Sequence, residues 1–233
     1  MAKSPDYQKL YELTGYSFRD EKLLRTALTH SSYASEHRLG YERNNERLEF
    51  IGDAYVDAVV GAELFEIMSD AHEGSLSRYR ADVVCEDSLS GAASEMGLGS
   101  FLYLGRGEEA SGGREKPSIL ADAFEALMGA IIIDGGYEAG RSVILRLLGD
   151  RIKLASEGKL NKDFKTKLQE LLQEKDHNVQ ISYEIIDQEG PDHSKTFTMQ
   201  VRANGRVLGT GKGRSKARAE QAAAEDALTK GAV

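Results

Sequence analysis

The segment Asn45-Glu46-Arg47-Leu48-Glu49-Phe50-Ile51-Gly52-Asp53-Ala54 places three carboxylates, Glu46, Glu49 and Asp53, at i, i+3 and i+7. At roughly 100° per residue they fall on one narrow face of a helix. Acidic stripes are commonly solvated, but here Leu48, Phe50, Ile51, Val56, Val59 and Val60 spread apolar side chains around the rest of the segment. A helix apolar nearly all round is usually buried. In Ile119–Ile133 the only charged residues are Asp122 and Glu125, again i and i+3. Burying a carboxylate is costly, so such groups need arginine, a shared proton or a divalent cation. Arg47 is placed to serve one of them, and neither cluster has enough neighbouring basic residues for all. Clustered carboxylate oxygens without a His/Cys set suit a hard ion such as Mg²⁺. That ion activates water and stabilises the leaving oxygen of a phosphodiester, so the acidic pocket and a polyanionic substrate would come together through metal.

Residues 5–154, which must position these groups, read as mostly helical, with apolar residues three and four apart, as in Leu10, Leu13 and Leu23, Leu24, Ala27, Leu28. Breaks fall at Thr14-Gly15, His37–Asn45, Ser69–Gly74, Gly105–Pro117 and Asp134-Gly135-Gly136. No strand or internal repeat is legible there. The small, polar run Ala155-Ser156-Glu157-Gly158-Lys159 predicts a linker over 155–161.

In 162–231 the period changes. A helix over 163–175 carries Leu168, Leu171 and Leu172 on one side. Val179, Ile181, Tyr183 and Ile185 then alternate with polar residues as a half-buried strand. After the turn Glu189-Gly190-Pro191-Asp192 comes a second alternating run, Phe197, Met199, Val201, Ala203. Asn204-Gly205 signals a hairpin into a short strand through Val207. Gly209, Gly211 and Gly213 read as a turn, Ser215 as an N-cap, and 216–230 as an alanine-rich helix closed by Gly231. The expectation is an all-α domain followed by a small α+β domain of order α-β-β-β-α, its antiparallel sheet covered on one face by two helices.

The formal net charge of −8 argues against a nucleic-acid partner, but it is unevenly spread. Residues 161–233 hold 12 Lys/Arg against 11 Asp/Glu, and residues 1–160 hold 18 against 27. From Lys195 to Arg218 there are seven basic residues (Lys195, Arg202, Arg206, Lys212, Arg214, Lys216, Arg218) and no acidic one. A local basic stretch binds phosphates whatever the total charge. The single cysteine, Cys85, excludes an intramolecular disulfide, fits a reducing compartment, and reads as a small buried hydrophobe rather than a nucleophile. MAKSPDYQKLYEL lacks the apolar core of a signal peptide and no run is long enough to span a bilayer, so a soluble, cytoplasmic protein is expected. Gly105-Arg106-Gly107 and Gly211-Lys212-Gly213 lack the surroundings of nucleotide-binding loops and read as turns. Gly105–Lys116 reads either as a mobile loop touching the polyanionic substrate or as a plain solvated loop. His30, His37, His72 and His177 lack metal spacing, and Tyr79 and Arg80 read as helix surface rather than catalytic groups.

NERLEFIGDA at 45–54 resembles the signature of the ribonuclease III family, endonucleases of double-stranded RNA. ADAFEALMGAIIIDGG at 121–136 is similar to its second catalytic segment and LTHSSY at 28–33 to its N-terminal region. GPDHSKTF and GKGRSKARAEQAAA are similar to a double-stranded-RNA-binding domain, so the resemblance covers nearly the whole chain. It implies that Glu49, Asp53, Asp122 and Glu125 ligate Mg²⁺, with Mn²⁺ able to substitute, and that Asp53 and Glu125 are the most sensitive catalytic positions. Glu46 would join the catalytic motif by supporting the cleft or dimer contact, and Glu73 would lie near the cleft. Gln169 and His193 would meet the minor groove, and Lys195, Arg214, Lys216 and Arg218 the phosphates. Where the family often has a second lysine after Lys216, this chain has Ala217, flanked by Arg214 and Arg218. The resemblance further implies a homodimer without organic cofactor or membrane partner. Each subunit would cut one strand to leave 5′-phosphate and 3′-hydroxyl ends, processing ribosomal RNA precursors and some messenger RNAs. A non-catalytic double-stranded-RNA-binding regulator that kept the fold is the alternative, and the presence of all four ligand carboxylates counts against it.

Overall fold

In the computed structural model, which describes residues 7–160, 164–190 and 195–231, Met1–Asn161 and Lys162–Val233 form two separate units. The first is helical: α1 (Gln8–Thr14), α2 (Glu21–Ala27), α3 (Ser31–Glu36), α4 (Glu46–Ile67), α5 (Glu73–Val84), α6 (Glu86–Glu95), α7 (Arg106–Ala110), α8 (Pro117–Gly135) and α9 (Tyr137–Ser156). Among its described residues the only strand-like pairing is an isolated bridge between Thr29 and Tyr103. No helix is long and apolar enough to cross a membrane among the described residues.

The apolar run 119–132 makes α8 the centre of the unit, packed by α2, α4, α6 and α9. Phe124, Leu127, Met128 and Ile131 are fully buried, each contributing about 1.5–3 kcal/mol of apolar burial. Pro117 opens α8 at its first turn, where the missing N–H leaves no partner wanting. Just short of its end, Asp134 accepts hydrogen bonds from Tyr16 Oη (2.6 Å) and from the backbone N–H groups of Arg19 (2.8 Å) and Asp20 (3.0 Å). Burial pushes the Asp134 carboxyl up, but these three donors outweigh it and hold the group below the usual carboxylate range.

α4 crosses α8 at backbone contact. A Cβ on Gly52 would collide with the Glu125 carbonyl, and one on Gly129 with the Leu48 carbonyl. Glycine at both positions is thus a requirement of close approach. α4 is not buried all round, contrary to its apolar spread. Leu48, Gly52, Val56, Val59, Val60 and Leu64 face inward, whereas Phe50 and Phe65 are 77% and 71% exposed. Helix α9 runs on to Ser156 with Ala155 buried, so the expected linker loses its first two residues to the helix, because Ala155 completes the apolar stripe of α9. Cys85, at the α5–α6 junction, is half-buried rather than buried, its Sγ 3.3 Å from the Asp82 carbonyl.

The second unit comprises α10 (Phe164–Lys175), β1 (Ile181–Glu189), β2 (Thr196–Ala203), β3 (Arg206–Gly213) and α11 (Lys216–Thr229), with an antiparallel sheet of order β1-β2-β3. Both fold classes expected from the sequence are present. Asn204 (φ 47°) and Gly205 (φ 79°) make the tight β2–β3 turn. Leu168 and Leu172 of α10 meet Ala219, Ala223, Ala224 and Ala227 of α11 over Met199, Val201 and Leu208. Two readings change. Gly209, Gly211 and Gly213 are strand residues: side chains there would strike the α11 backbone at Ala223, Ala222–Ala223 and Ala219. Glycines at period 2 facing alanines at helical spacing bring helix and strand together. Ile185 still pairs in register with buried Met199 but is 42% exposed, and a bulge between Ile185 and Asp187 ends the alternation begun at Ile181. The expected turn through Pro191-Asp192 lies outside the described residues.

Candidate metal centre and basic surface

The α4–α8 crossing brings the two acidic clusters together. Carboxylate oxygens of Glu49, Asp122 and Glu125 all lie within 4.8 Å of one another, on half-buried side chains. Asp53 stands outside this trio, exposed one turn further along α4, and Glu46 is exposed in the first turn. Glu73, exposed at the start of α5, accepts a hydrogen bond from Ser77 Oγ at 2.8 Å.

Electrostatics bind the outlying acids to the trio. Burial, then the charges of Asp53, Glu49, Asp122 and Asp57, push the Glu125 carboxyl up to about 8. Glu49 is raised by burial, then by Asp122, Glu46 and Asp53. Asp122 is raised by burial and by the charge of Glu86, which His30 partly offsets. Among the described residues no basic side chain is ion-paired with Glu49, Asp122 or Glu125, Arg47 included. Crowded, desolvated carboxylates without a counter-cation are a donor set for a hard divalent ion.

A proton linkage follows. Glu125 titrates at about 8 in the folded protein against an ordinary 4.5, so the unfolded chain releases this proton first as pH rises. The metal-free fold should therefore lose stability across that window, and a divalent ion should restore it while expelling the proton. Calorimetric titration with Mg²⁺ in buffers of different ionisation enthalpy should show proton release at neutral pH. Binding without release would remove Glu125 from the ligand set.

Sequence reasoning missed Asp57 and Glu86. Asp57 continues the Glu46–Glu49–Asp53 stripe at i+11, a readable signal. Glu86, which opens α6, reaches Asp122 only through tertiary packing. His30 and His37 are structural: His30 Nδ1 lies 2.8 Å from Ser32 Oγ at the start of α3, and His37 stacks on Tyr33 at 3.9 Å. The Gly105–Lys116 segment is neither a bare loop nor unsupported. Arg114 donates to the Gly99 and Leu102 carbonyls at 2.7 and 2.9 Å, and Lys116 pairs with Glu108.

On the second unit, exposed Arg214, Lys216 and Arg218 gather at the N-terminus of α11, where Ser215 Oγ accepts from the Arg218 N–H at 3.2 Å. The helix dipole adds to their attraction for anions. Gln169 is exposed on α10 and Lys195 half-buried just before β2. His193 lies outside the described residues. The stretch without acids in sequence does not lack them in space: Arg202 pairs with Glu184 (3.2 Å) and Lys212 with Glu189 (3.9 Å), both acids from β1. Sheet pairing thus narrows the effective basic patch toward α11.

A family profile described as Ribonuclease-III-like matches residues 20–152, and one described as Double-stranded RNA binding motif matches residues 164–230. Ribonuclease 3 of Caldanaerobacter subterraneus is 49% identical over 95% of this chain and 96% of its own length. Ribonuclease 3 of Streptococcus gordonii is 43% identical over 95% and 94%. The nuclease domain of ribonuclease III from Campylobacter jejuni, a structure concerned with flexibility in a region involved in dimer formation, superposes with TM-score 0.58 at 43% identity, covering 63% of this chain and 98% of that one.

Proposed function

Because the chain belongs to the ribonuclease III family, we propose that it cuts double-stranded RNA by dividing the work between its two units, the helical one hydrolysing phosphodiesters and the α+β one holding the duplex. The observation that carries this reading is the trio of carboxylates within 4.8 Å, on two helices locked at backbone contact, with no basic ion-pair partner among the described residues. Glu49, Asp122 and Glu125, with Asp53 beside them, would hold Mg²⁺, or Mn²⁺ in its place. When bound, the ion lowers the pKa of a water and offsets charge on the phosphodiester and its leaving oxygen. Glu125 would have to lose its proton to join that donor set, and the charge of Asp53 keeps the field at Glu125 negative. Glu46 and Glu73 line the cleft. Arg214, Lys216 and Arg218, with Lys195, meet phosphates, while Gln169 and His193 reach the minor groove of an A-form duplex, which is read by shape and 2′-hydroxyls.

The products are 5′-phosphate and 3′-hydroxyl ends, and the natural substrates are ribosomal RNA precursors and some messenger RNAs in the cytoplasm. The protein acts as a homodimer, each site cutting one strand. Exposed Phe50 and Ile133, the latter at 57%, support this. They border a groove of about 670 Å³ whose apolar wall includes Leu23, Leu48 and Ile51. A solvent-facing phenylalanine and isoleucine beside an apolar groove suit a two-fold contact in which each copy fills the other. A monomeric sedimentation coefficient at working concentration would exclude it.

Incubation of the full chain with a long RNA duplex and Mg²⁺ should yield short duplex fragments with 3′ overhangs. Intact RNA despite tight binding would instead favour the non-catalytic regulator.

A further inference from the structure

Arg80 is a cation at the edge of this otherwise acidic cluster. It lies on α5 at i+7 from Glu73 and so shares the helix face that carries Glu73 and Ser77. Its stem crosses α4 at Gly61, where an added Cβ would sit 3.5 Å from Arg80 Cδ. Its Nη1 lies 3.6 Å from Asp57 Oδ2, with the two side chains 42% and 37% exposed. Asp57 extends the Glu46–Glu49–Asp53 stripe by one turn, and its charge is felt at Glu125. Among the described residues Arg80 is the only basic side chain ion-paired with any member of that stripe. The pair is loose, and a guanidinium has five N–H donors, so most of its hydrogen-bonding capacity still faces solvent. A partly exposed ion pair of this kind contributes little to stability.

Resting on the nuclease reading above, we propose that Arg80 is a phosphate-binding residue of the cleft, parked on Asp57 in the free protein and transferred to the RNA backbone when duplex enters. Its planar fork matches a phosphate better than it matches one carboxylate oxygen at long range. Asp57 keeps the cation at the rim and competes with RNA for it. Arg80 is thus more than the helix surface its sequence context suggests.

The test measures duplex affinity against salt concentration in full-length protein carrying Glu125→Gln, so that RNA survives. Arg80→Gln should weaken affinity about fivefold and lower the slope of log affinity against log salt by about one. Arg80→Lys should keep the slope while binding less tightly than arginine. Asp57→Asn should tighten binding, and by less when Arg80 is already Gln, since the gain depends on releasing that side chain. In protein that keeps Glu125, Arg80→Gln should raise KM for cleavage more than it lowers kcat. An unchanged salt slope in Arg80→Gln, or an Asp57→Asn effect independent of Arg80, overturns the assignment. A wild-type protein that binds but does not cut overturns the nuclease reading alone, because the affinity measurements still report on Arg80.

Discussion

Glu125→Gln should lower the rate of duplex cleavage about a thousandfold, the scale of removing one group that stabilises developing charge, while leaving duplex binding in place. Glutamine preserves shape and packing on α8 but cannot supply an anionic oxygen to a divalent ion. On the proposed reading most of the RNA grip belongs to the other unit, where Arg214, Lys216 and Arg218 are exposed, so affinity is not expected to follow the rate. Stability should move the other way. Burial, then the charges of Asp53, Glu49, Asp122 and Asp57, push the half-buried Glu125 carboxyl up to about 8, so a neutral side chain relieves both desolvation and repulsion above that pH. Single-turnover cleavage with Mg²⁺, together with thermal melts of the metal-free protein near pH 9, examines both halves. Wild-type cleavage by this variant would remove the metal assignment.

Gly52→Ala should be the most damaging single methyl in the helical unit. The new Cβ meets the Glu125 carbonyl and the Gly129 amide, both backbone atoms that cannot turn aside. The helices must separate, at a cost of about 3 kcal/mol, which in a chain of this size lowers Tm by roughly 6–12 °C. Separation also pulls Glu49 on α4 from Asp122 and Glu125 on α8. Activity well below Tm should therefore fall further than the unfolded fraction explains. Gly149→Ala is the control: nothing lies within 4 Å of its added Cβ, in the middle of α9, and it should stabilise by about 0.5–1 kcal/mol through helix propensity. Equal melts for the two variants would show that the crossing tolerates a methyl.

The contrast between these glycines marks what the sequence could disclose. Periodicity places Glu46, Glu49 and Asp53 on one face and Asp122 with Glu125 on another, because angle around a helix is a local quantity. It does not give depth. That Glu49 joins the α8 pair while Asp53 stays exposed depends on where α4 crosses α8. Phe50 counted toward a buried helix because hydrophobicity alone does not distinguish core from exposed apolar surface. Gly209, Gly211 and Gly213 were misread because glycine signals both turns and close packing, and only the partner alanines on α11 separate the two. Hairpin, caps and element order were legible because short-range chemistry decides them. Arg202 and Lys212 counted as free charge until cross-sheet neighbours appeared.

The Asp134 knot has a consequence for the order in which the protein is made. Its partners Tyr16, Arg19 and Asp20 lie 118, 115 and 114 residues upstream, so the first helices leave the ribosome long before the carboxylate that fastens them. Closing so long a loop is slow compared with forming the helices themselves. Asp122 and Glu125 emerge just before Asp134, on the same helix. The nascent chain therefore completes its acidic trio and ties down its beginning in one late step, and a polypeptide arrested short of that step carries neither.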